Sequence, residues 1–253
     1  MAALFWTVAP LSTRAFEARD DGDGAPYAPA ESWIGINGGT NFTVWTVRSD
    51  TTDGAFSSDF RDGSAAGGEN EGDFTLKAEE GEVVVGRDLV DGGNPVALES
   101  GEFSAYSWFT PGRENVFLGF ALYDADDGEL LRWGVTENGV GYSTDGGYHP
   151  LDDGYSSWGF YEYTLRWMTG ANGLEFTLTG FELGLDGNKT ATDWNAMFNV
   201  AGQSVGGIAV IAKNGAASFD QLSVRGTEVP EPGTLGLLAV GLAGLAGCRK
   251  RGN

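Results

Sequence analysis

Along the middle of the chain apolar and polar side chains alternate. Residues 161–167 set Tyr161, Tyr163, Leu165 and Trp167 against Glu162, Thr164 and Arg166, the two-residue period of a half-buried strand. Residues 174–179 alternate in the same way. Between them Gly170-Ala171-Asn172-Gly173 suits a tight reversal with positive φ. The two runs predict an antiparallel hairpin. Further strands are predicted over 42–47, 74–78, 82–85, 102–109, 115–123, 130–136, 141–144, 208–212 and 219–225. Asn37-Gly38, Asn138-Gly139 and Asn214-Gly215 mark turns. Only 192–200 reads as a helix, with Thr192 or Asp193 as cap before Trp194-Asn195-Ala196-Met197-Phe198. Many short strands at this spacing predict an all-β chain, an antiparallel two-sheet β-sandwich or jelly roll. No internal repeat at a fixed period is present.

Composition narrows the function classes. Glycine contributes 41 of 253 residues without a G-X-Y period, which excludes collagen, and it falls between apolar runs, which excludes wholesale disorder. Fifteen basic against 36 acidic residues leave a net charge of −21, which repels phosphate backbones and excludes nucleic acid as a partner. One histidine and one cysteine exclude the usual zinc sites, a disulfide framework and most histidine-based catalysis.

The C-terminal end has three parts in a fixed order. Pro230-Glu231-Pro232 is followed by an uncharged Gly/Leu/Ala-rich run, 233–248, and then by Arg249-Lys250-Arg251. Sixteen residues make about 24 Å of helix, short against a hydrocarbon core of about 30 Å. The run is apolar all round, so a single membrane-spanning helix is expected rather than an amphipathic core helix. The terminal cations hold the C terminus in the cytoplasm and place the rest outside. Together these parts resemble the PEP-CTERM protein-sorting signal of Gram-negative bacteria. The resemblance implies that an exosortase, a membrane-embedded transpeptidase-like protease, is the partner. Pro230, Glu231 and Pro232 would be its recognition residues, 233–248 a transient inner-membrane anchor, and Arg249, Lys250 and Arg251 the stop-transfer charges. The carrier would end at the cell surface or in the extracellular matrix. Leu245-Ala246-Gly247-Cys248 matches a lipobox, but only five residues follow the cysteine, so the match is accidental.

The N-terminal end fits export less well. Residues 1–11 hold an apolar run without an early Lys or Arg, and Ala28-Pro29-Ala30 lies well beyond it. The expectation is an assigned start that misses the signal peptide, or a variant gene. The organisation read from the chain is therefore an N-terminal segment over 1–30, a β-sandwich domain over 31–228 and the sorting signal over 229–253. Residues 216–224 resemble the last strand of concanavalin A-like (laminin G-type) sandwiches, which implies that topology for the body.

Candidate chemistry is sparse. A retaining glycosidase needs two carboxyl groups about 5–5.5 Å apart, and neither E-x-D-x-x-E nor E-x-D-x-E occurs; Glu69-Asn70-Glu71-Gly72-Asp73 reads as a solvated loop. His149, the one histidine, lies in Gly146-Gly147-Tyr148-His149-Pro150 with no G-x-S-x-G elbow, and reads as a loop residue. Asp124-Ala125-Asp126-Asp127-Gly128-Glu129 bunches carboxylates in a turn where weak structural calcium is conceivable, although it departs from the EF-hand pattern; a solvated acidic turn is the favoured reading. No cofactor is expected. Tyr142, Tyr148, Tyr155 and Trp158, interleaved with Asp145, Asp152, Asp153 and glycines, make a candidate saccharide platform, or aromatic packing of a long loop. The function expected is a non-enzymatic, exported surface or matrix protein that binds polysaccharide. The alternatives are a carbohydrate-active enzyme and a purely structural adhesion protein.

Overall fold

The computed structural model describes residues 14–20, 27, 31–61, 73–111, 114–137, 139–144, 147–152, 160–183, 189–202 and 204–228. Fifteen strands and no helix lie among them. They are β1 (Ala15–Asp20), β2 (Thr46–Asp50), β3 (Phe56–Arg61), β4 (Asp73–Asp88), β5 (Val90–Asp91), β6 (Asn94–Pro95), β7 (Leu98–Pro111) and β8 (Phe117–Tyr123). Next come β9 (Glu129–Thr136), β10 (Gly139–Thr144), β11 (Gly147–Asp152), β12 (Phe160–Gly170), β13 (Gly173–Leu183), β14 (Lys189–Val200) and β15 (Gly207–Glu228). The β5–β6 pair stands apart. The other thirteen strands form one antiparallel hydrogen-bonded network, whose main path runs β11-β10-β9-β8-β15-β7-β12-β13-β14.

The network folds over on itself because β15 changes partner halfway. Gly207–Lys213 pairs with β8, and Gly215–Glu228 pairs with β7. Asn214, at φ 53°, sits at the switch, where the pairing with β4 also slips. A left-handed residue of this kind bulges a strand and turns it. One wing thus carries β8 to β11 and the other β7 and β12 to β14. Their inner faces meet through rings. Phe103 of β7 lies 5.2 Å from Phe120 of β8 and 5.1 Å from Trp133 of β9, and Phe120 lies 6.0 Å from Tyr163 of β12. The outer strands of the wings also touch, since Tyr142 of β10 stacks on Phe198 of β14 at 4.1 Å. The result is the all-β, sandwich-like arrangement that the alternation predicts, with the two halves joined through β15 instead of standing as two separate sheets.

Several predicted elements change. The separate runs 74–78 and 82–85 are one strand, β4, and the runs 208–212 and 219–225 are one strand, β15. Asn214-Gly215 is therefore a bulge within a strand and not a hairpin turn. The predicted helix over 192–200 is strand β14. Phe198 pairs with Phe176 of β13 and stacks on it at 5.6 Å, while neighbouring Met197 is 82% exposed. Register against β13 outweighs the weak capping signal. The predicted hairpin is β12–β13, paired from Phe160↔Leu183 to Gly170↔Gly173. Ala15–Asp20, which the sequence reading placed in the N-terminal segment, pairs along β15 from Ala15↔Thr227 to Asp20↔Leu222.

Candidate functional site

All seven residues of β8 are buried, so the strand is covered on both faces. Leu118, Phe120 and Leu122 enter the main core. Phe117, Ala121 and Tyr123 point the other way and join Val84, Ala209 and Ile211 in a second apolar layer on the outside of the wing. Two arginines lie across this layer. Arg48 sits 4.4 Å over the Tyr123 ring and Arg132 sits 5.5 Å over Phe117.

Arg132 begins a cleft. Its guanidinium donates to both carboxylate oxygens of Glu129, at 2.8 and 2.7 Å, and to Glu82 at 3.0 Å. Burial works against its charge, but the two carboxylates outweigh that and raise its pKa. Ser143 of β10 faces Arg132 across the ladder, and Tyr148 of β11 faces Ser143. Alongside this row Gly119, Gly134 and Gly141 lie opposite one another on β8, β9 and β10. The Tyr148 ring lies over the last of them, because a Cβ on Gly141 would come within 2.5 Å of the phenol. The Tyr148 hydroxyl donates to the Gly139 carbonyl at 3.2 Å and lies 3.2 Å from Thr136 Oγ1. Burial raises its pKa. The cleft holds about 300 Å3 between Glu82, Phe117, Arg132, Thr136, Ser143, Tyr148 and Lys213. Lys213 donates to Asn115 at 3.0 Å, and Glu137 accepts the Val116 N–H at 3.0 Å. The Tyr148 ring and fixed groups of both signs thus border this space.

The four aromatic residues singled out from the sequence do not form one platform. Tyr148 lines the cleft, but Tyr142 faces the opposite side of the sheet, half-buried between His149 at 4.9 Å and Phe198 at 4.1 Å. Adjacent positions of one strand point to opposite faces, and Tyr148 pairs with Ser143 whereas Tyr142 pairs with His149. Tyr155 and Trp158 lie outside the described residues, as do Glu69 and Glu71. His149, read from the sequence as a loop residue, lies instead on β11, where it pairs with Tyr142 and stacks on its ring.

Carboxylates of the acidic turn are engaged by the turn itself and by arginines. Asp124 accepts the N–H groups of Asp126 at 2.9 Å and Gly128 at 2.7 Å. Asp127 and Asp88 both bind Arg48. Among the described residues no group of three or more His, Cys, Asp or Glu is arranged to hold a metal ion. A neighbouring cavity of about 440 Å3 is bordered by Asp88, Val96, Asp124 and Asp127.

Sequence reading missed a buried ion pair. Arg87 has no exposed surface and binds Asp20, itself 2% exposed. The signal was present: Arg87 falls on the same face of β4 as buried Val83 and Val85, and Asp20 on the same face of β1 as Phe16 and Ala18. Opposite charges at two core positions point to a buried pair.

Several solved structures are similar to part of this chain. A protein titled "Cellulose induced protein, Cip1" is 13% identical, with a TM-score of 0.41 over 71% of this chain and 90% of its own. A Lotus tetragonolobus seed lectin is 10% identical, with a TM-score of 0.42 over 70% and 96%. An alginate lyase from Corynebacterium sp. is 11% identical, with a TM-score of 0.41 over 82% and 92%. No curated protein matches the chain. Among the described residues no helix is long and apolar enough to cross a membrane. The predicted C-terminal helix, Pro230, Glu231, Pro232, Arg249, Lys250 and Arg251 lie outside those residues. Over 228–251, however, the family model of the PEP-CTERM protein-sorting motif matches, so this chain carries that sorting signal directly behind its last strand.

Proposed function

We propose that this is a non-enzymatic, polysaccharide-binding protein of the outer cell surface or extracellular matrix of a Gram-negative bacterium. The observation that carries the reading is the sorting motif over 228–251, which implies export to the cell envelope and processing by an exosortase. In this reading residues 233–248 anchor the chain transiently in the inner membrane, with Arg249, Lys250 and Arg251 left in the cytoplasm. The cleft beside Tyr148 supports the binding role. It offers the Tyr148 ring to the face of a sugar and Ser143, Glu82, Arg132 and Lys213 to its hydroxyls. The net charge of −21 keeps such a protein soluble and draws divalent cations to its surface.

Two measurements test the reading. Removal of 230–253, followed by fractionation of the cells, should leave the protein away from the surface; arrival there in the same amount would refute the sorting role. A glycan array with the full chain should find polysaccharide ligands, and Tyr148→Ala should weaken binding about tenfold, the worth of one or two polar or stacking contacts. Shortening of the polysaccharide on incubation would place the protein among carbohydrate-active enzymes instead, and absence of any binding would leave an adhesion role.

A further inference from the structure

Four Asn-Gly steps occur along the chain, at Asn37, Asn138, Asn172 and Asn214. Asn138 lies outside the described residues. The other three share one dipeptide but sit in unlike surroundings.

An Asn-Gly step can close on itself. The backbone nitrogen of the glycine attacks the side-chain carbonyl carbon of the asparagine and expels ammonia, which leaves a five-membered succinimide. Water then opens the ring at either carbonyl. Glycine favours the step because it has no side chain to obstruct the approach. Two things hold the step back: hydrogen bonds that fix the carboxamide, and partners that fix the glycine backbone. Such bonds must break before the ring can close, so each slows the reaction.

At Asn37 both restraints are present. Its Nδ2 donates to the Phe42 carbonyl at 2.9 Å, its Oδ1 accepts from Arg87, and the Gly38 N–H donates to the Tyr27 hydroxyl at 3.1 Å. At Asn214 the amide donates to the carbonyls of Glu114 and Asn115, both at 3.1 Å. Gly215 behind it is buried and paired on both sides, with Ala78 and with Pro111. Asn172 is held far less. It is exposed at the tip of the β12–β13 hairpin beside exposed Ala171, and among the described residues its side chain has no hydrogen-bond partner. Gly173 is paired on one side only, with Gly170. The fold nonetheless requires Gly173, because its φ is 122° and a Cβ there would lie 2.2 Å from the Val200 carbonyl oxygen. The turn thus demands the residue that makes the step labile.

We propose that Asn172 is a self-modifying site, which converts to aspartate and isoaspartate through the succinimide while the fold preserves Asn37 and Asn214. The change consumes one water and releases one ammonia, and nothing is oxidised or reduced. It adds a negative charge at the hairpin tip, and the isoaspartate form also lengthens the backbone there by one methylene.

The purified full chain is held in warm, mildly alkaline buffer, beside a second sample in the same buffer with guanidinium chloride. Peptide mapping by mass spectrometry follows the amide-to-acid change at each step, and an isoaspartyl methyltransferase labels the isoaspartate. In the native sample Asn172 should convert at least about tenfold faster than Asn37 and Asn214, the worth of one or two hydrogen bonds. In denaturant the three should convert at similar rates, because only the fold distinguishes them. Asn172→Gln should leave that peptide unchanged over the same period. Equal native rates, or a native Asn172 that survives while the denatured one converts, would overturn the inference. A tenfold lead that persists in denaturant would trace the difference to local sequence, and would overturn it too.

Discussion

Arg87 lies wholly inside the protein, and each of its three guanidinium nitrogens has a partner. Its Nε and one Nη donate to the Thr43 carbonyl, at 3.0 and 2.6 Å, and the remaining groups bind Asp20 and Asn37. The guanidinium lies 4.4 Å over Phe42 and 4.8 Å over Trp45. Burial lowers its pKa, and Asp20 opposes that shift. Asp20 is further bound by Tyr27, at 2.7 Å, and by Trp45, at 3.3 Å. Breaking such a pair from one side leaves an uncompensated buried charge, which costs about 3–5 kcal/mol. Arg87→Met should lower the free energy of unfolding by that amount in urea titrations, and Asp20→Asn together with Arg87→Met by clearly less than the sum of the single changes. The tyrosines of the molecule give a pH signature. Burial first, then Asp20, raises the pKa of Tyr27 to about 12; burial, then Glu129, does the same for Tyr123. Below the ordinary tyrosine value of 10 both folded and unfolded states keep these protons, and stability is unaffected. Between pH 10 and 12 the unfolded chain releases them first, so stability falls. Urea midpoints should decline through that window, and Tyr27→Phe with Tyr123→Phe should flatten the decline. At this scale the sequence was legible only in part. Two opposite charges at core parity are visible in Ala15–Asp20 and in Val83 to Arg87, but nothing local to either run says that they meet across 67 residues.

Among the elements, regular alternation was the readable part. The β12–β13 hairpin needs only its own sequence, since its inner and outer residues alternate and its turn carries Asn-Gly. Strand β14 was hidden because the sequence carries a weak helix-cap signal there and its neighbour β13 decides its conformation. The cleft was hidden for a similar reason. Arg132, Ser143 and Tyr148 come from three strands, and their common face follows from register, which no single run reveals. Of the aromatic residues chosen from the sequence, Tyr148 borders the cleft, whereas Tyr142, six residues earlier, turns to the core and stacks on Phe198. The row of glycines makes a sharp element-level prediction. A Cβ on Gly119 would lie 2.1 Å from the Trp133 carbonyl oxygen, and one on Gly134 would lie 2.2 Å from that of Leu118. The obstacle is paired backbone, which cannot swing aside. Gly134→Ala should therefore cost at least about 3 kcal/mol, the upper part of the range for overpacking, and thermal unfolding measures it.

Across the whole molecule the two wings depend on one strand that lies late in the sequence. Neither wing can close on the other until β15 arrives, and its partner β1 waits at the opposite end of the chain. Contacts of such sequence separation slow folding. The same pairing brings Ala15 beside Thr227, so the chain enters and leaves the body at one pole. Circular permutation exploits this arrangement. A few Gly and Ser residues can join Glu228 to Arg14, and new ends can open at the exposed Gly92-Gly93 turn, where φ is 57° and 88°. The permutant should fold with the same far-ultraviolet circular dichroism spectrum, and it should refold faster because its most distant partners have become neighbours. If the proposed anchoring holds, a tether on either side of the body would pull on that single pole, and the rest of the body would hang from it like a bell from its yoke, with the far end of the sandwich turned outward.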